Sequence, residues 1–481
     1  MRLHRPILLL LLAASLLLAA CVPERVSWSP DGSRAAVLGK YGLYFCDPSG
    51  KLSPIAIAKP IDRVAWLPDG KHIVVVRVAE LATWNELVKF GAGLTDGIPE
   101  KAKAWRQKFV QAGADEAALK ALADPLFADS DARLVAIYLR DNDPALQQDL
   151  GPDKWANLAD LTYDLPICEL YDVSADTPRL TATLLTGAVG WTTELRPAPA
   201  GGRLAIACWN TSAKPPRALL FLVSTTDPKA VPVALGEGCA FPDFAPDGKT
   251  LVCMHSVPNP VLADVHLGDN DRTISKLRFT ADSPDQHPGA IVARDLTTLD
   301  TAREQLLATA AYDPMTRIRV AADGRVFFCV QALENPVAAS IPKDQHALYV
   351  LPKIGDAPAL IVPPAVQPTL GNQQQLFSLS PDARYLDVPS DQGQVSVLDL
   401  QTQKVIPVQP LADHRGEKGD DFSLVSIPAW RNNTQLTFVR ITQPGSPERE
   451  VVLHDMADDS DKILSPTWSD EARADWLTPL P

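Results

Sequence analysis

The chain has 481 residues, 46% of them hydrophobic, 21% charged and 6% aromatic, with a net charge of −13. An apolar share of that size belongs to a folded globular protein and excludes a wholly disordered chain. The acidic balance excludes the basic footprint that nucleic acid requires, so no nucleic-acid partner is expected.

In chain order, the first element is a targeting segment. Arg2, His4 and Arg5 precede an apolar run from Ile7 to Ala20, and Cys21 follows. Basic, then apolar, then small is the order of a secretory signal, here residues 1–20. The run is shorter than the ~20 residues of a membrane-spanning helix, although an uncleaved anchor is the competing reading. Leu18-Ala19-Ala20-Cys21 resembles the bacterial lipobox. That resemblance implies a diacylated Cys21 as the mature N-terminus and membrane attachment through its acyl chains. Val22, where Asp would signal inner-membrane retention, implies the periplasmic side of the outer membrane in an organism that has one. Cleavage there removes Arg2 and Arg5 and makes the mature chain more acidic still.

The rest, residues 21–481, is organised by a recurring phrase of strand, tight turn and strand. It reads VSWSPDGSRAAVL at Val26–Leu38 and VAWLPDGKHIVVV at Val64–Val76. It returns at Thr193–Cys208, Cys239–Met254, Ile318–Val330, Leu376–Val388 and Ser426–Val439. Pro30 presets the second position of a type I turn, Asp31 suits the third, and Gly32 supplies the left-handed residue that closes the hairpin. A further strand pair follows in several units, as in Gly42–Ile57 and Gly393–Val408. Four strands per unit, repeated, is the pattern of a β-propeller. The fold class is therefore all-β, a propeller of about seven four-stranded blades, with six and eight as alternatives. Blades begin near Trp28, Trp66, Arg196, Phe244, Val320, Leu379 and Trp430.

The spacing between units is uneven. In blades two to five the extra chain lies between the second and third strands. In an up-and-down blade this connection leaves on the face opposite the Pro-Asp-Gly turns, so the long loops crowd one face. The second-blade insertion, residues 80–163, carries helical signals. Pro99-Glu100 opens a segment with Ala102, Trp105 and Phe109 on one face. Leu119, Leu122 and Leu126 follow, and Ser130 caps a helix through Arg140. Pro144 and Pro152 take first-turn positions. A small helical bundle with Trp84, Trp105 and Trp155 in its core is expected. Ser465–Leu477 faintly echoes the repeat and is expected to start another blade or to donate a closing strand.

Few residues carry a chemical signature. There is no GxSxG, P-loop, dinucleotide fingerprint, HExxH or CxxC, so no catalytic residue and no cofactor is assigned. Of the cysteines after Cys21, Cys239 and Cys253 lie on the two strands of one hairpin, nearly opposite each other. They read as buried thiols, with a disulfide as the competing reading. His255, His266 and His287 fall in or beside the fourth-blade insertion without ligand spacing, so no metal site is assigned. Gly268–Asp271, Asp420-Asp421 and Asp458–Asp461 read as solvated turns rather than calcium loops. The inner strands read as mostly apolar.

Trp28-Ser29-Pro30-Asp31-Gly32, Trp66-Leu67-Pro68-Asp69-Gly70, Phe244-Ala245-Pro246-Asp247-Gly248 and Ser380-Pro381-Asp382 resemble the repeat of TolB-like propellers, a WD-repeat-like class. The resemblance covers Val26 to about Met456 and implies fold rather than function. Relatives include periplasmic interaction scaffolds and the propeller halves of serine oligopeptidases. This chain has neither the hydrolase half of such a peptidase nor the separate N-terminal domain of TolB. The expected function is an envelope lipoprotein that binds a protein or envelope partner through its loop-rich face, without catalysis. The alternative is a small-ligand-binding or hydrolase- or lyase-type propeller that uses its central channel.

Overall fold

The computed structural model describes residues 24–469, except 40–41, 59–60, 91–94, 113–129, 160, 187–190, 211–216, 257–286, 298–303, 313–316, 331, 334–346, 362–373, 390–394, 410–425, 442–447 and 465–467. Cys21 and the signal segment lie outside the described residues.

Seven antiparallel sheets follow one another along the chain and form a seven-bladed propeller. Blade one holds Val26–Trp28, Ala35–Gly39 and Gly42–Cys46, and its outer edge is marked by bridges Leu43–Ile57 and Cys46–Leu52. Blade two holds Ile61–Trp66, His72–Leu81, Tyr163–Asp172 and Arg179–Thr186. Blade three holds Trp191–Pro197, Arg203–Asn210, Arg217–Ser224 and Val233–Glu237. Blade four holds Cys239–Phe244, Thr250–Ser256, His287–Asp295 and Glu304–Tyr312, and the short strand Ala332–Leu333 pairs onto its edge. Blade five holds Ile318–Val320, Val326–Val330, Ala347–Leu351 and Ala359–Leu360. Blade six holds Ser378–Leu379, Tyr385–Pro389, Val395–Asp399 and Lys404–Gln409. Blade seven holds Ala429–Trp430, Gln435–Ile441, Glu448–Asp455 and Ser460–Ile463.

The turns form as their residues dictate. Asp31 Oδ1 accepts from Ser29 Oγ at 2.6 Å and from the Ser33 amide at 3.0 Å, while Gly32 sits at φ 67°. Asp69 and Asp247 repeat the arrangement, each accepting two amides of the returning strand. Ala383 takes the glycine position in blade six at φ 51°, a left-handed conformation costly for a residue with a Cβ.

The hydrophobic core lies between the blades. Each of the seven seams has its own buried cluster, for example Phe45, Val64, Trp66 and Ile73 between blades one and two. Val26, Val37, Val451 and Leu453 fill the seam between blades one and seven. Each such side chain contributes about 1.5–3 kcal/mol relative to exposure. Hydrogen bonds cross the same seams. Trp66 Nε1 donates to the Ser27 carbonyl at 2.9 Å, Trp430 Nε1 to Asp387 Oδ1 at 2.7 Å, and Trp28 Nε1 to Thr437 Oγ1 at 3.1 Å. Arginines of the turn region reach the other way: Arg34 to Val173 O at 2.6 Å, Arg325 to Ala383 O at 3.0 Å, and Arg431 to Gly32 O at 2.9 Å.

The first and last blades therefore meet directly. Sheet one contains only N-terminal residues, and sheet seven only C-terminal ones. Of the segment expected to start another blade or donate a closing strand, Trp468–Ser469 pairs with Glu448–Arg449, the third strand of blade seven, and the rest lies outside the described residues.

The second blade carries the helices. They are α1 (Trp84–Phe90), α2 (Ile98–Ala112), α3 (Ser130–Asn142), α4 (Pro144–Leu150) and α5 (Pro152–Ala159). The flanking strands run ten residues each in unbroken register, His72–Leu81 against Tyr163–Asp172. Leu87, Ile98, Ala102, Leu134, Ile137, Leu146 and Leu158 form the bundle's own core. Trp84 meets Tyr138 edge-on at 4.9 Å, and Trp155 packs against that core. Asp143 caps α4 through the Ala145 and Leu146 amides, with Pro144 at the first turn as expected. The Trp105 side chain and Leu119–Leu126 lie outside the described residues.

Candidate ligand site in the central channel

The inner strands bring charged side chains to the axis. Blade two offers Arg63, blade three Glu194 and Arg196, blade four Asp243, and blade five Arg319 with Arg317 just ahead of its strand. Glu24 precedes the inner strand of blade one. Together with Ser27, Trp28, Ser378, Ser380, Pro428 and Trp430, most of them line a cavity of about 350 Å³. The expectation of mostly apolar inner strands is thereby corrected. Valines and alanines in those strands turn into the seams, and the charged residues alternating with them turn to the axis.

The contacts form one connected network. Glu194 Oε1 accepts from Arg196 and from Arg319, each at 3.1 Å, and Arg317 Nε lies 3.9 Å away. Glu24 Oε1 lies 3.0 Å from Arg317 and 3.8 Å from Arg196. Asp243 Oδ2 accepts the Val320 amide at 2.8 Å. Arg196 Nε and Glu194 Oε2 are buried without a hydrogen-bond partner among the described residues.

Electrostatics set the charge states. Burial pushes the Glu24 carboxyl up, but Arg317, Arg196, Arg319 and Arg63 outweigh it and hold it at about 2. Burial likewise raises Glu194, and Arg196, Arg319 and Arg317 bring it below the usual carboxylate range. Asp243 goes the other way: its burial is only partly offset by Arg196 and Arg319, so its carboxyl is raised. Burial lowers Arg317 to about 10, against the pull of Glu24. Arg196, Arg317 and Arg319, with Arg63 nearby, thus face Glu24, Glu194 and Asp243, two carboxyls lowered and one raised. Each guanidinium carries five N–H donors, and that of Arg196 keeps a buried Nε without a partner among the described residues.

Behind the cavity wall lies Asp387, on the second strand of blade six and fully buried. Its Oδ1 accepts from Ser378 Oγ and Trp430 Nε1, while Oδ2 is buried without a partner. Burial pushes this carboxyl up to about 7, against the Ser378 and Trp430 hydrogen bonds.

The cavity lies toward the tight-turn end of the ring, since its lining runs into turn residues Ala321, Ala322, Ser380 and Pro381. Among the described residues, no lining residue comes from the helical insertion. Cys239 and Cys253 are buried free thiols; Cys239 pairs in register with His255, two residues beyond Cys253. His266, the side chain of His287, Gly268–Asp271 and Asp420-Asp421 lie outside the described residues. Asp458 and Asp459 are exposed in a turn, and Asp461 meets His454 Nδ1 at 3.0 Å.

The channel cluster was missed because its members are scattered from residue 24 to residue 319. A usable signal existed. With the repeats superposed on their turns, Arg196, Asp243 and Arg319 all stand one residue ahead of the Trp28 position. Arg63, Glu194 and Arg317 stand three ahead.

No protein-family sequence profile matches the chain, and no curated protein sequence matches it. Solved structures do resemble it. An oligogalacturonate lyase in complex with manganese has 9% identity and a TM-score of 0.49 over 90% of this chain and 89% of that one. The β-propeller domain of the trilobed protease from Pyrococcus furiosus has 9% identity and a TM-score of 0.36 over 63% and 75%. An oligogalacturonate lyase from Vibrio parahaemolyticus has 8% identity and a TM-score of 0.44 over 87% of each chain. These are likenesses of fold.

Proposed function

We propose that this protein is an exported, lipid-anchored propeller that binds a small carboxylate-bearing ligand in its central channel. The observation that carries the reading is the convergence of Arg196, Arg317 and Arg319 on one cavity, with Arg196 Nε buried and without a hydrogen-bond partner among the described residues. A guanidinium fork pairs with a carboxylate through two parallel hydrogen bonds, which supplies orientation as well as charge. Ser27, Ser378 and Ser380 add hydroxyls, and Trp28 and Trp430 add flat apolar surface for the body of the ligand. The reading takes the channel over the loop face as the working site and includes no catalytic step. Export and anchoring rest on residues 1–20 and Cys21, with the ring held at the membrane surface by acyl chains.

Calorimetric titration with a panel of mono- and dicarboxylates, sugar acids included, tests the channel. At least one is expected to bind, and Arg319→Gln is expected to weaken it by about tenfold or more. Binding that is unchanged in Arg319→Gln and Arg196→Gln, or no binding across the panel, would overturn the reading. Detergent-phase partitioning of the wild type, lost in Cys21→Ser, tests the anchor; equal partitioning of the two would refute it.

A further inference from the structure

A second polar cluster lies away from the channel, across the face of blade four that packs on blade three. It takes one side chain from each of four strands: Cys239, His255, Arg294 and Glu304. Their long side chains meet across the sheet although the four residues are not all in register. The Cys239 Sγ, a His255 ring nitrogen and a Glu304 carboxylate oxygen all lie within 4.8 Å of one another. His255 Nδ1 and Glu304 Oε2 share a hydrogen bond of 3.2 Å.

The geometry points to a divalent transition-metal site, zinc by its donor set, with Cys239, His255 and Glu304 as ligands and a fourth position for water. One sulfur, one imidazole nitrogen and one carboxylate oxygen are donors that zinc takes together, and three protein ligands with an open position is a familiar zinc arrangement. The ion would sit between His255 Nδ1 and Glu304 Oε2 in place of their hydrogen bond. On binding, the Cys239 thiol proton leaves to solvent, and the resulting thiolate and the Glu304 carboxylate match the divalent charge.

The surroundings fit that assignment. Arg294 holds Glu304 Oε1, leaving the other oxygen for the metal, and its second nitrogen reaches the Leu235 carbonyl of blade three. The same guanidinium stands 3.7 Å from Cys239 Sγ as a donor to a thiolate. Cys253 lies two residues before His255 on the same strand face and is buried as a free thiol. Such outer partners orient ligands and set their basicity. The ligands are not sealed: the His255 side chain is 31% exposed, which leaves an entry path beside it. Sequence spacing could not show the site, because it ties blade-four residues up to 65 positions apart, a separation read from Cys239 and Glu304.

The test is cobalt(II) titration of the reduced full chain after chelation, with zinc competition. The expected result is one cobalt per chain, a thiolate-to-cobalt charge-transfer band, and displacement by zinc. The band should vanish in Cys239→Ser, and affinity should fall at least about tenfold in His255→Gln and Glu304→Gln. If a variant fails to fold, a zinc-induced rise in wild-type Tm, reversed by chelator, serves as a readout that needs no substitution. No band at excess cobalt, or a band that survives in folded Cys239→Ser, overturns the assignment. So does a Cys239–Cys253 disulfide that forms in air and leaves a chain unable to take up cobalt even after reduction.

Discussion

Replacing Asp387 with asparagine should change how stability depends on pH. The wild-type carboxyl is raised from an ordinary 3.8 to about 7, because burial penalises its charged form more than Ser378 and Trp430 stabilise it. For a group raised in the folded state, its contribution is fully present below the unfolded value. It is lost as pH climbs through the folded one, here between about 4 and about 7. A displacement of about three pH units at 1.36 kcal/mol each sets the loss at about 4 kcal/mol, as an upper figure. Asparagine keeps an oxygen for Trp430 Nε1 and Ser378 but cannot ionise. Any constant cost of its unpaired amide is the same at every pH and drops out of the difference curve. Urea unfolding followed by tryptophan fluorescence at about pH 4, 5.5, 7 and 8 measures it. The stability of Asp387→Asn relative to wild type should rise by up to about 4 kcal/mol from the lowest pH to the highest. Parallel curves would refute the reasoning and mean that Asp387 is solvated or stays charged.

Two further substitutions probe the ring and the channel. Gly32→Ala should destabilise by about 1–2 kcal/mol from its positive φ alone, and by more because the new Cβ would lie 3.0 Å from the Arg431 carbonyl. Gly70→Ala shares the positive φ but meets only Pro30 Cδ at 3.9 Å, so thermal unfolding should show the smaller loss there. Equal shifts would mean that the Arg431 contact can relax freely. Glu194→Gln leaves buried guanidiniums short of a counter-charge and should cost about 3 kcal/mol, with much of it recovered in Glu194→Gln/Arg319→Gln. A double-mutant cycle by chemical denaturation reads this, and simple additivity would show that the pair is not coupled.

Much of the fold was legible because its rules are local. Pro-Asp-Gly followed by a β-branched run reads as a hairpin wherever it stands, and Asp31, Asp69 and Asp247 make the turn contacts their residue type predicts. The helices of the second blade were legible for the same reason, through Ser130, Pro144 and Pro152. What escaped is what ring closure creates. Glu24, Glu194 and Arg317 are unremarkable in their own segments and become a site only when blades one, three and five face a common axis. The repeat tryptophans announced a blade each, but not that Trp28 and Trp430 would send their indole N–H across to a neighbouring sheet. The blade-four cluster escaped because its side chains come from four separate strands and meet only in the folded sheet.

The seam between blades seven and one repays a last look. It is filled by the same kinds of contact as the seam between blades one and two: an indole N–H to the preceding sheet, an arginine to the following one, and apolar side chains between. Circular permutation is the natural consequence. A chain opened between blades one and two would present complementary edges of the same kind and should reassemble the same wheel.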